Sequence, residues 1–186
     1  MSAALRTFIG IPVPALRRLV EVSGELRALG RLLRVTSPES WHLTLKFLGE
    51  TPAGEIAALS RAIEEVASET ATGSYEVRGL GVFPSLRRPS VIWAGLRGDG
   101  PLALLAERLD DVCSRFGFAR ETRAFHPHIT LARVSGRAPA SLAAMLEAEA
   151  ETAFGSVRPE RVVLYESELS KSGSRYQPLA SALLGG

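Results

Sequence analysis

His42-Leu43-Thr44-Leu45 decides the fold, and it returns 86 residues later as His128-Ile129-Thr130-Leu131. Polar His and Thr alternate with Leu or Ile at the two-residue period of a pleated strand, so each copy predicts a β-strand with two unlike faces. His42 and Thr44 share one face, roughly 6.5 Å apart along the strand, while Leu43 and Leu45 share the other. One face is suited to chemistry and the other to a core. A single such segment would read as an ordinary half-buried strand with an exposed histidine, but two in matched surroundings call for a different explanation. Phe8 lies 34 residues before His42 and Trp93 lies 35 before His128, and Val77 and Val163 each follow their histidine by 35. Helical patterns fill the four intervals. The chain reads twice as strand, helix, His-x-Thr strand, helix, strand, which is an internal duplication. Halves related in this way commonly pack about a pseudo-two-fold axis, and both histidines would then converge on one cleft.

Outward from the first copy, Thr7 to Pro12 predicts a strand ended by Pro12 and Pro14. Leu16, Leu19, Val20 and Leu26 then recur at helical spacing opposite Arg17, Arg18, Glu21 and Glu25. A short strand around Leu32 to Val35 precedes the polar turn Ser37 to Ser40, which leads into Trp41 and the first motif. Thr51-Pro52 starts a helix with Ile56, Leu59, Ile63 and Val66 on one face, and Tyr75 to Phe83 predicts the next strand. The proline-bounded basic loop Pro84 to Pro89 marks the boundary between halves. One domain, 1–186, is therefore expected, with lobes of about 1–86 and 87–186 and with termini free to cross between them. Beyond the loop come a strand at Val91 to Leu96 and a helix burying Leu102, Leu105, Leu109, Val112 and Phe116. The second motif strand, His128 to Val134, is followed by a helix over Ala140 to Ala150. Strands at Arg161 to Leu169 and Tyr176 to Leu184 close the chain. Alternation alone suggests a parallel doubly wound sheet. Two open sheets facing a shared groove, each with two outer helices, satisfy the same pattern.

The chain has 186 residues, 46% hydrophobic and 23% charged, as in globular proteins with a substantial core. A formal net charge of +2 permits an anionic ligand without demanding one. The lone Cys113 excludes an intramolecular disulfide and fits a reducing compartment. No stretch has the length of a membrane span, and no secretory hydrophobic region is present. A cytoplasmic protein without a membrane partner is expected. No glycine-rich phosphate loop of known spacing occurs.

Two histidines on one cleft suit phosphodiester chemistry. Neutral imidazole is a base and imidazolium an acid, and both forms coexist near neutrality. One histidine can take a proton from attacking water while the other protonates the leaving oxygen. The two threonine hydroxyls can donate to non-bridging phosphate oxygens as charge develops there. Neither a cofactor nor a metal is required.

These residues, with Phe125-His126-Pro127 before the second motif and Ala132-Arg133 after it, resemble the paired motifs of the two-histidine phosphoesterase superfamily. The nearest resemblance is to its RNA 2′,3′-cyclic phosphodiesterases, also called 2′-5′ RNA ligases. It extends from Phe8-Ile9-Gly10-Ile11-Pro12 through Phe47-Leu48-Gly49-Glu50 and Val91 to Leu96, as far as Leu164-Tyr165-Glu166-Ser167. The resemblance implies an α+β, bilobal fold of two mostly antiparallel sheets around a central groove. It implies hydrolysis of RNA 2′,3′-cyclic phosphate ends to 2′-phosphate, with His42 as proton donor and His128 as acceptor, and 2′-5′ ligation as the reverse use of the site. Thr44 and Thr130 would bind phosphate. Arg133 matches an arginine that often ends the second motif, but its strand parity is opposite to His128, so a bulge is needed to bring it into the groove. The expected partner is RNA ending in a 2′,3′-cyclic phosphate, and the expected state is a monomer.

Lys46 is in phase with Thr44, so it faces either the phosphate or solvent. His126 reads as a surface or supporting residue. Arg87 and Arg88 are placed for RNA backbone contact or simply for solubility. Phe8, Trp93 and Tyr165 are either base-stacking rings or core. Three rival functions are a metal-dependent hydrolase using His42, His126 and His128, a phosphodiesterase for another small cyclic phosphate, and a non-catalytic RNA-binding module.

Overall fold

Each motif strand sends Leu or Ile into the core from one of its faces, and the two strands lie together at the middle of one sheet. In the computed structural model, which describes residues 4–98, 100–170 and 173–185, the elements run as follows. β1 (Ala4–Pro12) leads to α1 (Arg17–Ala28), β2 (Leu33–Val35), β3 (His42–Pro52), α2 (Ile56–Ser68) and β4 (Tyr75–Phe83). Then come β5 (Val91–Arg97), α3 (Leu102–Ser114), β6 (His128–Val134), α4 (Ser141–Ala148), β7 (Ala153–Val157), β8 (Arg161–Ser170) and β9 (Gly173–Leu183). The strand order is β7-β4-β5-β6-β3-β1-β8-β9, with β2 on β6.

All ladders between these strands are antiparallel, as the family resemblance implied and the alternation of elements did not. The expectation of two sheets is corrected to one. Leu43 of β3 pairs with Ile129 of β6, and that pair joins what would otherwise be separate sheets. Strands are also exchanged across the midpoint of the chain. β4 pairs with β5 and β7, whereas β8 and β9 extend the side that begins with β3 and β1.

The helices bury their apolar stripes against the sheet. α1 contributes Leu19, Val22 and Leu26, α2 Leu59, Ile63 and Val66, α3 Leu102, Leu105 and Leu109, and α4 Leu142 and Leu146. Val20, expected inward, is 38% exposed, and Val22 takes its place because it lies closer to the line from Leu19 to Leu26. These stripes meet Leu43, Leu45, Ile129 and Leu131 from the motif strands. The motif threonines and histidines therefore stay on the helix-free face. Cys113 sits wholly within the core, and burial pushes its thiol up to about 11, which fits core filling.

Candidate active site

The Leu43–Ile129 pair sets the site's geometry. In an antiparallel ladder the flanking positions come opposite one another, so His42 lies beside Thr130 and Thr44 beside His128 on the groove face. The two histidines occupy one diagonal of this square and the threonines the other. Diagonal side chains on neighbouring strands start about 7–8 Å apart at Cβ. The gap suits one phosphoryl group approached from opposite sides.

Each imidazole is oriented in the same way. His42 Nδ1 lies 2.8 Å from the Ser40 carbonyl and His128 Nδ1 lies 2.7 Å from the His126 carbonyl. A carbonyl oxygen only accepts, so Nδ1 carries the proton in both rings and Nε2 is left for proton transfer. His126 meets His128 through its main-chain carbonyl. Among the described residues, no three His, Cys, Asp or Glu side chains are grouped to hold a metal ion.

Both rings are set in aromatic walls. His42 lies 4.8 Å from the Phe8 ring and 4.9 Å, edge to face, from that of Tyr176, with Tyr165 stacked on Phe8 at 5.0 Å. His128 meets Phe83 edge to face at 5.1 Å and Trp93 at 6.2 Å. Two glycines make this packing possible. A Cβ on Gly10 would come 3.3 Å from the Phe8 ring and 2.9 Å from the Leu43 carbonyl, and one on Gly81 would meet Trp93 at 2.2 Å. Phe8 is only 2% exposed, so it supports His42 as part of the wall. A groove of about 840 Å³ opens beside His42, lined by Trp41, Tyr165, Tyr176, Glu39 and Glu168 among others.

These surroundings hold both histidines below their ordinary pKa. For His42, burial is the main cause, the Ser40 carbonyl partly offsets it, and the positive charges of His128 and Arg133 add to it. For His128, burial again leads, opposed by the His126 carbonyl and assisted by the His126 side chain.

The bulge that Arg133 requires is present. Trp93 pairs with Thr130 and Ile92 with Ala132, so Leu131 is the extra residue. Leu131 and Ala132 are both buried, and Arg133 emerges with the parity of Thr130. Thr36 secures the bulge. Its N–H donates to the Leu131 carbonyl at 2.8 Å, and its hydroxyl lies 2.9 Å from both the Thr130 and Leu131 carbonyls while accepting from Trp41 Nε1. β3 carries a matching bulge at Leu45, because Gly10 pairs with Thr44 and Ile9 with Lys46. Lys46 is consequently turned to the helix side, correcting both of its expected placements. It is 6% exposed, and its Nζ donates to Asp110 at 2.5 Å and to the Ala119 carbonyl at 2.8 Å. Phe47 takes the position equivalent to Arg133 and is 68% exposed.

Residues 20–171 match the model of the 2′-5′ RNA ligase superfamily. The chain belongs to the 2′-5′ RNA ligase superfamily. Among its relatives in that superfamily is the RNA 2′,3′-cyclic phosphodiesterase of Aeropyrum pernix, 31% identical over 87% of this chain and 92% of the relative. TT0787 of Thermus thermophilus has a similar crystal structure, with a TM-score of 0.84 and 29% identity over 98% of this chain and 99% of that one. E. coli LigT complexed with 3′-AMP aligns with a TM-score of 0.79 and 26% identity over 99% of this chain and all of that one. Tyr176, Phe83 and Thr36 belong to no motif in the sequence. They reach the site across the sheet or through a loop, and no local pattern marks them.

Proposed function

We propose that this 2′-5′ RNA ligase superfamily member hydrolyses RNA 2′,3′-cyclic phosphate ends to 2′-phosphates. Its chief support is the register around Leu43 and Ile129, which sets two Nδ1-anchored imidazoles diagonally across a space bounded by two threonine hydroxyls. Water attacks phosphorus and gives its proton to His128 Nε2, the P–O3′ bond breaks, and His42 donates the Nε2 proton to the departing 3′-oxygen. Thr44 and Thr130 donate to the non-bridging oxygens, and Arg133 adds positive charge as negative charge accumulates there. Attack by an RNA 5′-hydroxyl in place of water gives a 2′-5′ linkage. The names of the relatives, and the nucleotide in the LigT complex, agree with such a substrate.

Matching bulges after Thr44 and Thr130, and matching Nδ1 contacts two residues upstream, support duplicated halves about a pseudo-two-fold axis within one domain. Among the described residues no helix is long and apolar enough to cross a membrane. The protein is proposed to be a cytoplasmic monomer.

The test is turnover of an RNA oligomer ending in 2′,3′-cyclic phosphate, assayed in EDTA with end-group analysis. The expected product is the 2′-phosphate. His42→Ala and His128→Ala should each lower the rate by roughly 10²- to 10⁴-fold, with the double variant far from multiplicative. A 3′-phosphate product would reverse the assignment of acid and base. Activity lost in EDTA and restored by zinc would favour metal chemistry, and a folded parent that binds the oligomer without cleaving it would favour the binding module.

A further inference from the structure

Arg133 is not alone at its end of the groove. β2 pairs with β6 so that Arg34 lies directly opposite Arg133. Cross-strand partners point to the same face with Cβ atoms about 4.5–5.5 Å apart, and like charges in that relation repel. Both residues are exposed, and among the described residues neither has a carboxylate within ion-pair distance. Arg18, Arg78, Arg97 and Arg120, in contrast, each pair with an acid. An anion lying between Arg34 and Arg133 would relieve the repulsion.

The same strand ends lead to a second basic feature. A cleft of about 550 Å³ is lined by Arg87, Arg88 and Arg137 together with apolar residues of the two neighbouring loops and α4, and among the described residues no acidic side chain lines it. Its position is fixed by the sheet. Ser90 N and Oγ donate to the Phe83 carbonyl at 2.7 and 3.0 Å, closing the loop between β4 and β5, and the Ser90 carbonyl accepts from Val134 N at 2.9 Å. Phe83, whose ring touches His128, immediately precedes this loop, and Arg133 and Arg137 flank its anchor on β6. From Thr130 to Arg137 an extended chain covers about 23 Å at most. The second basic cluster, which reaches round the strand ends to α4, therefore lies within about 23 Å of Thr130.

We propose that Arg34 and the cleft of Arg87, Arg88 and Arg137 continue outward from Arg133 as a track for the phosphates on the 5′ side of the cyclic end, making single-stranded RNA the preferred substrate over a cyclic mononucleotide. The proposal rests on the phosphodiesterase reading for the identity of the reacting end. The track itself is independent of it. Arginines at these sites recognise backbone phosphate, which sets the direction of the strand without reading its bases. The groove beside His42, where Glu39, Glu168 and Arg175 stand with the rings of Tyr165 and Tyr176, is left for the terminal nucleoside.

The experiment compares the parent with R87A/R88A/R137A on a hexanucleotide ending in 2′,3′-cyclic phosphate and on the matching 2′,3′-cyclic mononucleotide. Binding of a fluorescent hexanucleotide is followed by anisotropy over a range of salt. The parent should favour the hexanucleotide in kcat/KM, and the triple variant should reduce that preference by about 10- to 100-fold. The slope of log affinity against log salt should become shallower by about 2, as expected for three lost single-strand phosphate contacts. R34A alone should shift both readouts in the same direction by a smaller amount. Equal preference in parent and variant, with an unchanged salt slope, would overturn the track and leave the hydrolytic reading intact. A parent that binds the hexanucleotide with the predicted salt slope and cleaves neither substrate would retain the track and sink the hydrolytic reading.

Discussion

At the scale of single residues, the site depends on which nitrogen of each histidine is occupied. The carbonyls of Ser40 and His126 hold the Nδ1 protons, so a change of charge is confined to the Nε2 atoms. Burial lowers both pKa values, and His42 also feels the charge of His128 and Arg133. In the free enzyme the window in which one ring is protonated and the other neutral therefore lies below the ordinary histidine value of about 6.5. The profile of kcat/KM against pH should be a bell centred on the acid side of that value. A bound phosphate anion favours imidazolium, so the bell for kcat should move to higher pH. Initial rates across the range test this, and a kcat/KM bell centred well above 7 would contradict the burial of the rings. The same shifts affect folding. The unfolded chain takes up protons near 6.5 and the folded one only at lower pH, so this contribution to stability is complete above 6.5 and is lost as pH falls through the folded values.

At the scale of elements, the two bulges decide which side chains reach the groove. Thr36→Val removes the hydroxyl that joins the Thr130 and Leu131 carbonyls to the Trp41 indole. The loss should cost about 1–3 kcal/mol of stability, the range for buried polar groups left without partners. Slackening at Thr130 and Arg133 should also lower kcat about 10-fold, a fraction of the loss that a misplacement of 1 Å can bring. Urea unfolding and steady-state rates on the same preparation measure the two effects, and an unchanged kcat would show that the strand keeps its shape without Thr36. Bulges also mark the limit of what the sequence revealed. Simple alternation brought His42, Thr44, His128 and Thr130 to one face, and the structure agrees through Thr44 and Thr130. Past those residues a one-residue insertion inverts the parity, taking Lys46 to Asp110 and bringing Arg133 outward. Nothing in a two-residue period reports where such an insertion falls. β7 carries no strand pattern for a related reason: Ala153–Val157 contains Gly155 and Ser156, and its pairing with β4 comes from 75 or more residues upstream.

At the scale of the whole molecule, the exchange of strands makes the halves interdependent. β4 belongs to the first half of the chain and finds its partners, β5 and β7, in the second, whereas β1 of the first half needs β8 from the second. The groove is likewise shared, with His42 and His128 contributed from opposite sides of the β4–β5 loop. A chain severed after Leu86, in that exposed loop, would leave β4 unpaired in one piece and β7 unpaired in the other. Separately expressed fragments 1–86 and 87–186 should therefore be unfolded by circular dichroism and inert on cyclic-phosphate RNA. Mixing them should restore both the spectrum and turnover, and a fragment that folds alone would contradict this dependence. The protein could then serve as a two-piece reporter, silent until its parts are brought within reach, because the strand exchange that entangles the halves also withholds one histidine from each.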